Sequence, residues 1–442
     1  MKPRYRIDPP RIWSLLATST AIFMALVGSC IAKPGSLDPS LGTNGEVRTL
    51  AREPIEDPSI SIALDSKGRI DLVGTLQHGV AAIRYRPNGR LDPTFAGLGE
   101  TDLHLGEDHF SARDLAIDQR GRIVIGGTES GPEIHPGSPS PGYWFALVRL
   151  NPNGTRDKSF GKDGLVATHI GLASEIKAIK IDSHNRIIAV GYTASNTDYA
   201  NEEYVVARFL PDGRLDPSFS GDGVVTGLLG ALGSPAQVVA VDPAGRIVVG
   251  GSAVEGAGRT PRQRYALIRL TESGRLDRTF GKGGEVRTKV GKGQSEVIGL
   301  RIDRRGRILA IGNTTAGCGL SGNASLARYM PDGRLDRSFS GDGIVVTHSD
   351  LNIDSFAVDR SGRIVLGGNI ECLPIGWAVA RLRSDGGFDS SFGNEGISES
   401  SDQDRVSDLA LDRKGRIIAA GTQYPRELNG VPEIVLKRYL AR

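Results

Sequence analysis

One short phrase, Asp-x-x-Gly-Arg-Ile, returns along nearly the whole chain. It stands at Asp65–Ile70, Asp118–Ile123, Asp242–Ile247, Asp303–Ile308, Asp359–Ile364 and Asp412–Ile417, and again at Asp182–Ile187 with Asn185 in place of glycine. Successive copies are 53 to 64 residues apart, measured between their arginines, Arg69 to Arg416. A second phrase, of the type Gly-Arg-Leu-Asp-Pro-Ser-Phe, places its aspartates at Asp38, Asp92, Asp157, Asp216, Asp277, Asp336 and Asp389. A third is a short apolar run ending in arginine, at Arg84, Arg149, Arg208, Arg269, Arg328, Arg381 and Arg438. Self-similarity at such a period describes stacked supersecondary units, each too small to bury its apolar faces alone. The 442 residues are therefore one repeating architecture over 37–442, with no room for a second domain.

Each unit reads as four strands. Strand A precedes the first phrase, as in Val238–Val241, and is apolar on successive residues, which predicts burial on both faces. Strand B follows the Asp-x-x-Gly turn, as in Arg122–Gly126, and the turn needs the positive φ that glycine or asparagine supplies. Strand C runs into the third arginine, as in Tyr265–Leu270. Strand D, such as Gly284–Val290, carries Arg287 and Lys289 and suits a solvent-facing edge. No window has a helical apolar period. The expected fold is all-β: a seven-bladed β-propeller of four-stranded blades. Since the chain starts with a D strand and ends with a C strand, Gly45–Leu50 is expected to complete the last blade beside Glu433–Leu440. The alternative, blades grouped D-A-B-C, needs no such closure and is disfavoured by the edge-like polarity of D.

Charge divides the chain in two. Of 54 Lys+Arg and 51 Asp+Glu, four bases and one acid lie in the first 29 residues, so the body has no net charge and no electrostatic footprint for nucleic acid. Residues 1–32 read as an export signal: a basic start, an uncharged stretch from Ile12 to Ala32 with an apolar centre, then small residues. A membrane anchor is the alternative, weakened by Ser14, Thr18, Ser19 and Thr20. Val27-Gly28-Ser29-Cys30 resembles the lipobox of bacterial lipoproteins, which would make Cys30 the lipid attachment site. A cut after Ala32 would release an unlipidated protein. Both leave the product exported, to the periplasm, the outer membrane or the medium, and touching membrane only through a signal or lipid anchor.

The run Leu-Asp-Pro-Ser-Phe-Ser-Gly-Asp-Gly-Val at 215–224, followed about thirty residues later by Asp-x-x-Gly-Arg-Ile, resembles the delta-60 repeat, a family of exported bacterial β-propeller-like proteins. The resemblance spans about 37–442 and implies fold and export. It carries no general activity and no catalytic residues. The copies at 37–47 and 386–397 depart from it, with Leu41 for phenylalanine and Gly387-Phe388.

Residues built into every repeat read as scaffold. Arginine precedes aspartate by eight residues in six copies, as in Arg208 and Asp216, which a C–D turn would join in an ion pair. Asp216 and Asp222 suggest a calcium loop, but the second acid is missing at Asn44, Leu98 and Gly283. Function is expected where repeats differ, in the B–C and D–A connections of one face. Those connections carry Tyr143, Trp144, Tyr192, Tyr199, Arg259 and Arg262, a mix suited to a protein, peptide or glycan partner. The chain thus reads as a binding scaffold without a cofactor. The alternative is a cation-dependent, lactonase-like hydrolase, with calcium held at the channel mouth by Asp114, Glu175, Glu296, Asp354 and Asp408. No nucleophile elbow, phosphate loop or zinc signature is present. Cys318 and Cys372 fall in B–C loops of successive copies, and in an oxidising compartment they are candidates for a disulfide.

Overall fold

The computed structural model describes residues 33–50, 55–77, 79–103, 110–133, 141–194, 202–230, 234–255, 262–315, 322–347, 351–370, 376–400, 404–423 and 432–441. They form seven antiparallel four-stranded sheets. Blades 1 to 7 are numbered by their innermost strands: Ile55–Leu64, Phe110–Ile117, Ala173–Ile181, Ala236–Val241, Ser295–Ile302, Leu351–Val358 and Asp404–Leu411. Blades 1 to 6 each run A-B-C-D from the channel outward, as expected. The seventh takes A, B and C from the C-terminus and its outer strand, Glu46–Leu50, from the N-terminus. Glu46 pairs with Lys437 and Leu50 with Glu433, so the ring is closed between the two ends of the chain. The fold is a seven-bladed β-propeller.

The hairpin turns bear out the phrase that predicted them. Gly68 and Gly121 have φ of 77°, and Asn185, the one substitute, has φ of 58°. Strand B is buried along its length in blade 1, and strand D is the exposed margin, as in the half-exposed Leu165–Thr168. The core is divided into seven clusters, each between neighbouring blades. Val73 and Val80 of blade 1 pack on Leu115 and Ile125 of blade 2, and Ile62 of blade 1 on Ile418 of blade 7. Side chains add cross-blade bonds. Asn313 Nδ2 donates to the Ile353 carbonyl at 2.8 Å, and its Oδ1 accepts from the Ile353 amide at 2.9 Å.

Strand A differs from its expectation. It is buried only in part, with alternating buried and half-buried residues in Phe110–Ile117, because its inner edge has no partner strand and faces the central channel. Each A strand also carries a register shift, for example between Ala112 and Asp114 and between Val406 and Asp408. The shift inserts one extra residue and re-aims side chains at the sheet edge.

Candidate functional site: the central channel and its mouth

The turn rim uses up its polar residues. Arg208 Nε donates to Asp216 Oδ2 at 2.8 Å, Asp216 Oδ1 accepts from the Ser218 hydroxyl at 2.7 Å, and the guanidinium lies 4.7 Å over the Phe219 ring. The same pairing joins Arg149 to Asp157, Arg269 to Asp277, Arg328 to Asp336 and Arg381 to Asp389. Arg438 and Asp38, from opposite ends of the chain, complete the set at 2.9 Å. Each of these arginines also reaches a carbonyl of the next blade, as Arg328 does to Ser384 at 2.8 Å and Arg438 to Pro87 at 2.6 Å. Asp38 and Asp336 show the electrostatic result. Burial alone would raise them, but the hydroxyl and amide of Ser40 or Ser338 and the paired arginine bring each down to about 2.

One expected pair is not formed. Arg84 turns from Asp92 to Asp71, with bonds of 2.5 and 3.1 Å. Asp71 is a buried acid in strand B, where the matching residues of other blades are apolar (Val124, Ile188, Val248), and a buried guanidinium takes the buried carboxylate. Burial pushes Asp71 up to about 6 despite this partner. Asp92 bonds instead to Thr94 and Arg69.

The channel is a cavity of about 1050 Å³ walled by the seven A strands. Four residues before each turn aspartate stand Ser61, Asp114, Ala178, Val238, Gly299, Ser355 and Asp408, one per blade. The polar ones occupy four consecutive blades and form a continuous chain. Ser355 Oγ donates to Asp408 at 2.5 Å, and Ser61 Oγ lies 3.3 Å from both Asp408 and Asp114. Asp408 also accepts from the amides of Ile62 and Leu409, each at 2.8 Å, and Asp114 from those of Leu115 and Ile179 at the same distance. Both carboxylates thus hold backbone donors at the inner edge of the following blade. Burial, with the charge of Asp114 adding to it, leaves Asp408 raised despite these bonds.

The other sequence-predicted acids are elsewhere on the wall. Glu175 accepts from Lys177 at 2.8 Å, Arg113 at 3.0 Å and the Tyr192 hydroxyl at 2.9 Å. Burial opposes its ionisation, yet Lys177, Arg113 and Tyr192 together hold it below the usual range. Glu296 has Gln237 at 3.0 Å and is raised by burial. Asp354 is exposed and accepts from Asn369 at 3.2 Å. The five acids therefore fall into four settings, with only Asp114 and Asp408 joined, through Ser61. Among the described residues no three His, Cys, Asp or Glu side chains group as a cation site.

The residues expected in connections lie instead in strands that extend further than their repeats suggest: Tyr143 and Trp144 in Pro141–Leu150, Tyr192 in Ile187–Ala194 and Arg262 at the start of Arg262–Leu270. Tyr143 and Arg262 are exposed, and Trp144 is half-buried with its ring edge-on to His169 at 5.8 Å. Tyr192 is committed to Glu175. Tyr199, Arg259, Cys318 and Cys372 lie outside the described residues, as do residues 1–32 with Cys30.

A family model described as a domain of unknown function (DUF5122) beta-propeller matches residues 141–160, 185–219, 243–280 and 306–339. The chain carries propeller repeats. The matched stretches span the third strand and outer turn of blade 2 and the corresponding hairpins of blades 3, 4 and 5. Among solved structures, a protein of unknown function from Dyadobacter fermentans is 13% identical, with a TM-score of 0.49 over 92% of this chain and 100% of that one. Virginiamycin B lyase from Staphylococcus aureus is 13% identical, with a TM-score of 0.47 over 88% of this chain and 99% of that one. A polysaccharide lyase, ulvan lyase, is 12% identical, with a TM-score of 0.49 over 89% and 95%. No curated protein matches.

Sequence reasoning missed the basic residues of the channel. Arg113 and Lys177 are the inserted residues of their A strands, and Lys180, Arg301 and Arg405 also line the cavity. The signal was available. Two residues before the turn aspartate, five blades have alanine (Ala63, Ala116, Ala240, Ala357, Ala410), while blades 3 and 5 have Lys180 and Arg301.

Proposed function

We propose that this chain is an exported, non-catalytic binding platform of the delta-60 repeat type. It takes a protein, peptide or glycan partner on the face that carries the variable connections. The observation behind this reading is the saturation of the repeated polar groups. Arg208, Asp216 and their counterparts bond within and between blades, which leaves the differences between blades to carry specificity. Exposed Tyr143 and Arg262 are the described groups on that face best placed to touch a partner. Export rests on residues 1–32, and a lipid on Cys30 or a Cys318–Cys372 disulfide would follow from an oxidising destination. The test is capture from an envelope fraction by purified protein. A saturable partner retained by the wild type and lost in a Tyr143→Ala/Arg262→Ala variant supports the platform; equal capture by both defeats it.

A cation-dependent hydrolase is the second reading, favoured by one contact: Asp114 and Asp408 converge on Ser61 Oγ. It requires calcium binding and turnover that an Asp114→Ala/Asp408→Ala variant loses together.

A further inference from the structure

The acids and bases of the channel differ in how much of their hydrogen-bonding capacity is already used. Asp408 accepts from two amides and the Ser355 hydroxyl, Asp114 accepts from two amides, and the one Ser61 hydroxyl proton lies between them, with its oxygen 3.3 Å from each. A carboxylate has about four lone-pair sites, so little acceptor capacity is left for anything in the lumen. Arg113 and Lys177 are taken up by Glu175, but two other bases are in the opposite condition. Lys180 is half exposed, and its closest carboxylate oxygen, on Asp114, is 3.9 Å away, beyond a hydrogen bond. Arg301 is exposed to the channel and has no hydrogen-bond or ion-pair partner among the described residues. Together these two side chains present about eight N–H donors.

The wall between the two bases offers apolar surface beside Gln237. Val238 and Ile298 line it, and at Gly299 a Cβ would collide with the Phe356 ring, so glycine is what lets that ring lie against the channel wall. Lys180 and Arg301 sit on alternate blades, with Ala240 at the matching position between them. The cavity, at about 1050 Å³, admits a small organic molecule with its hydration.

We infer that the central channel is a binding site for a small organic acid bearing two or more carboxylates, held by Arg301 and Lys180 with its carbon skeleton against Val238, Ile298 and Phe356. Guanidinium and ammonium donors to carboxylate are charge-assisted. This site is independent of any partner on the variable face, so either assignment can fail without the other.

The test is calorimetric titration of the full mature protein with citrate at low salt, with inorganic phosphate as the compact comparison anion. One citrate per chain is expected, with phosphate at least about tenfold weaker because it has no carbon skeleton to bury. Arg301→Gln and Lys180→Gln should each weaken citrate about tenfold or more, the loss of charge-assisted bonds. Arg301→Lys, which keeps the charge, should retain more than Arg301→Gln. Arg275→Gln, on an outer turn, should bind as the wild type does, and melting curves confirm that each variant is folded. No citrate binding up to about 10 mM, an affinity weaker than about −3 kcal/mol, overturns the site, as does undiminished binding by both glutamine variants. Phosphate binding as tightly as citrate overturns the organic-acid assignment.

Discussion

On the outer turns Arg208 meets Asp216, a phenylalanine ring and the next blade's carbonyl; in the channel Arg301 meets none of these. Both side chains belong to the same sevenfold frame. Where a residue recurs in every blade, its partner recurs too, and in six of the seven blades the pair becomes part of the packing. Where a blade departs from the rest, no partner is built into the repeat: Asp71 captured Arg84, whereas Arg301 has none and remains available. The two regions show that in a repeat fold the polar residues easiest to notice are the least available for chemistry.

The sharpest way to break this contrast is to remove one partner of a rim pair. Asp216→Ala leaves Arg208 buried without its counter-charge, which should cost about 3–5 kcal/mol and lower the midpoint of urea unfolding, while citrate affinity in the channel stays unchanged. An unaltered midpoint would place the pair outside the frame. Arg438→Ala should cost as much and, because Arg438 also bonds Asp38 and Pro87, should loosen the N-terminal strand specifically. Faster amide exchange at Val47 and Thr49 than at the strand of blade 3 would register this.

Acid should act on the rim next. Asp38 and Asp336 have folded values of about 2, below the ordinary 3.8, so their contribution is complete above about pH 4 and is lost as pH falls toward 2. The difference in melting temperature between the wild type and an Asp38→Asn/Asp336→Asn variant should be level from about pH 7 to 5 and shrink between about pH 4 and 2. A smaller effect is expected in the channel. Both oxygens of Asp408 accept backbone N–H groups, so Asp408→Asn turns an amide nitrogen toward one donor and should cost about 1–3 kcal/mol. Smallest of all, Tyr143→Ala, at an exposed site, should stay within about 0.5 kcal/mol of wild type in denaturant.

The sequence disclosed the frame at the level of single turns. Asn185 was expected to take the left-handed conformation that glycine takes elsewhere, and it does. The closure of the ring by Glu46–Leu50 was legible from the order of strands at the two ends. The failures have definite physical causes. Arg84 left Asp92 because Asp71, thirteen residues earlier, is buried beside it, a fact about side-chain direction that spacing does not encode. The A strands were expected to be buried on both faces. Apolar residues of a strand facing two neighbouring blades look the same in sequence as those of a central strand, and only the missing inner partner separates the cases.

The recurrence of three phrases determined by itself that there are seven equivalent units, that each is four strands, and that the ends meet, because local turn chemistry and strand order are carried by neighbours in the chain. Tertiary structure alone decided which acids share a neighbour and which bases have none. Asp408 touches Ser355 and Ile62, 53 and 346 residues away, and no local pattern can say whether a charge so placed will find a partner when the wheel closes.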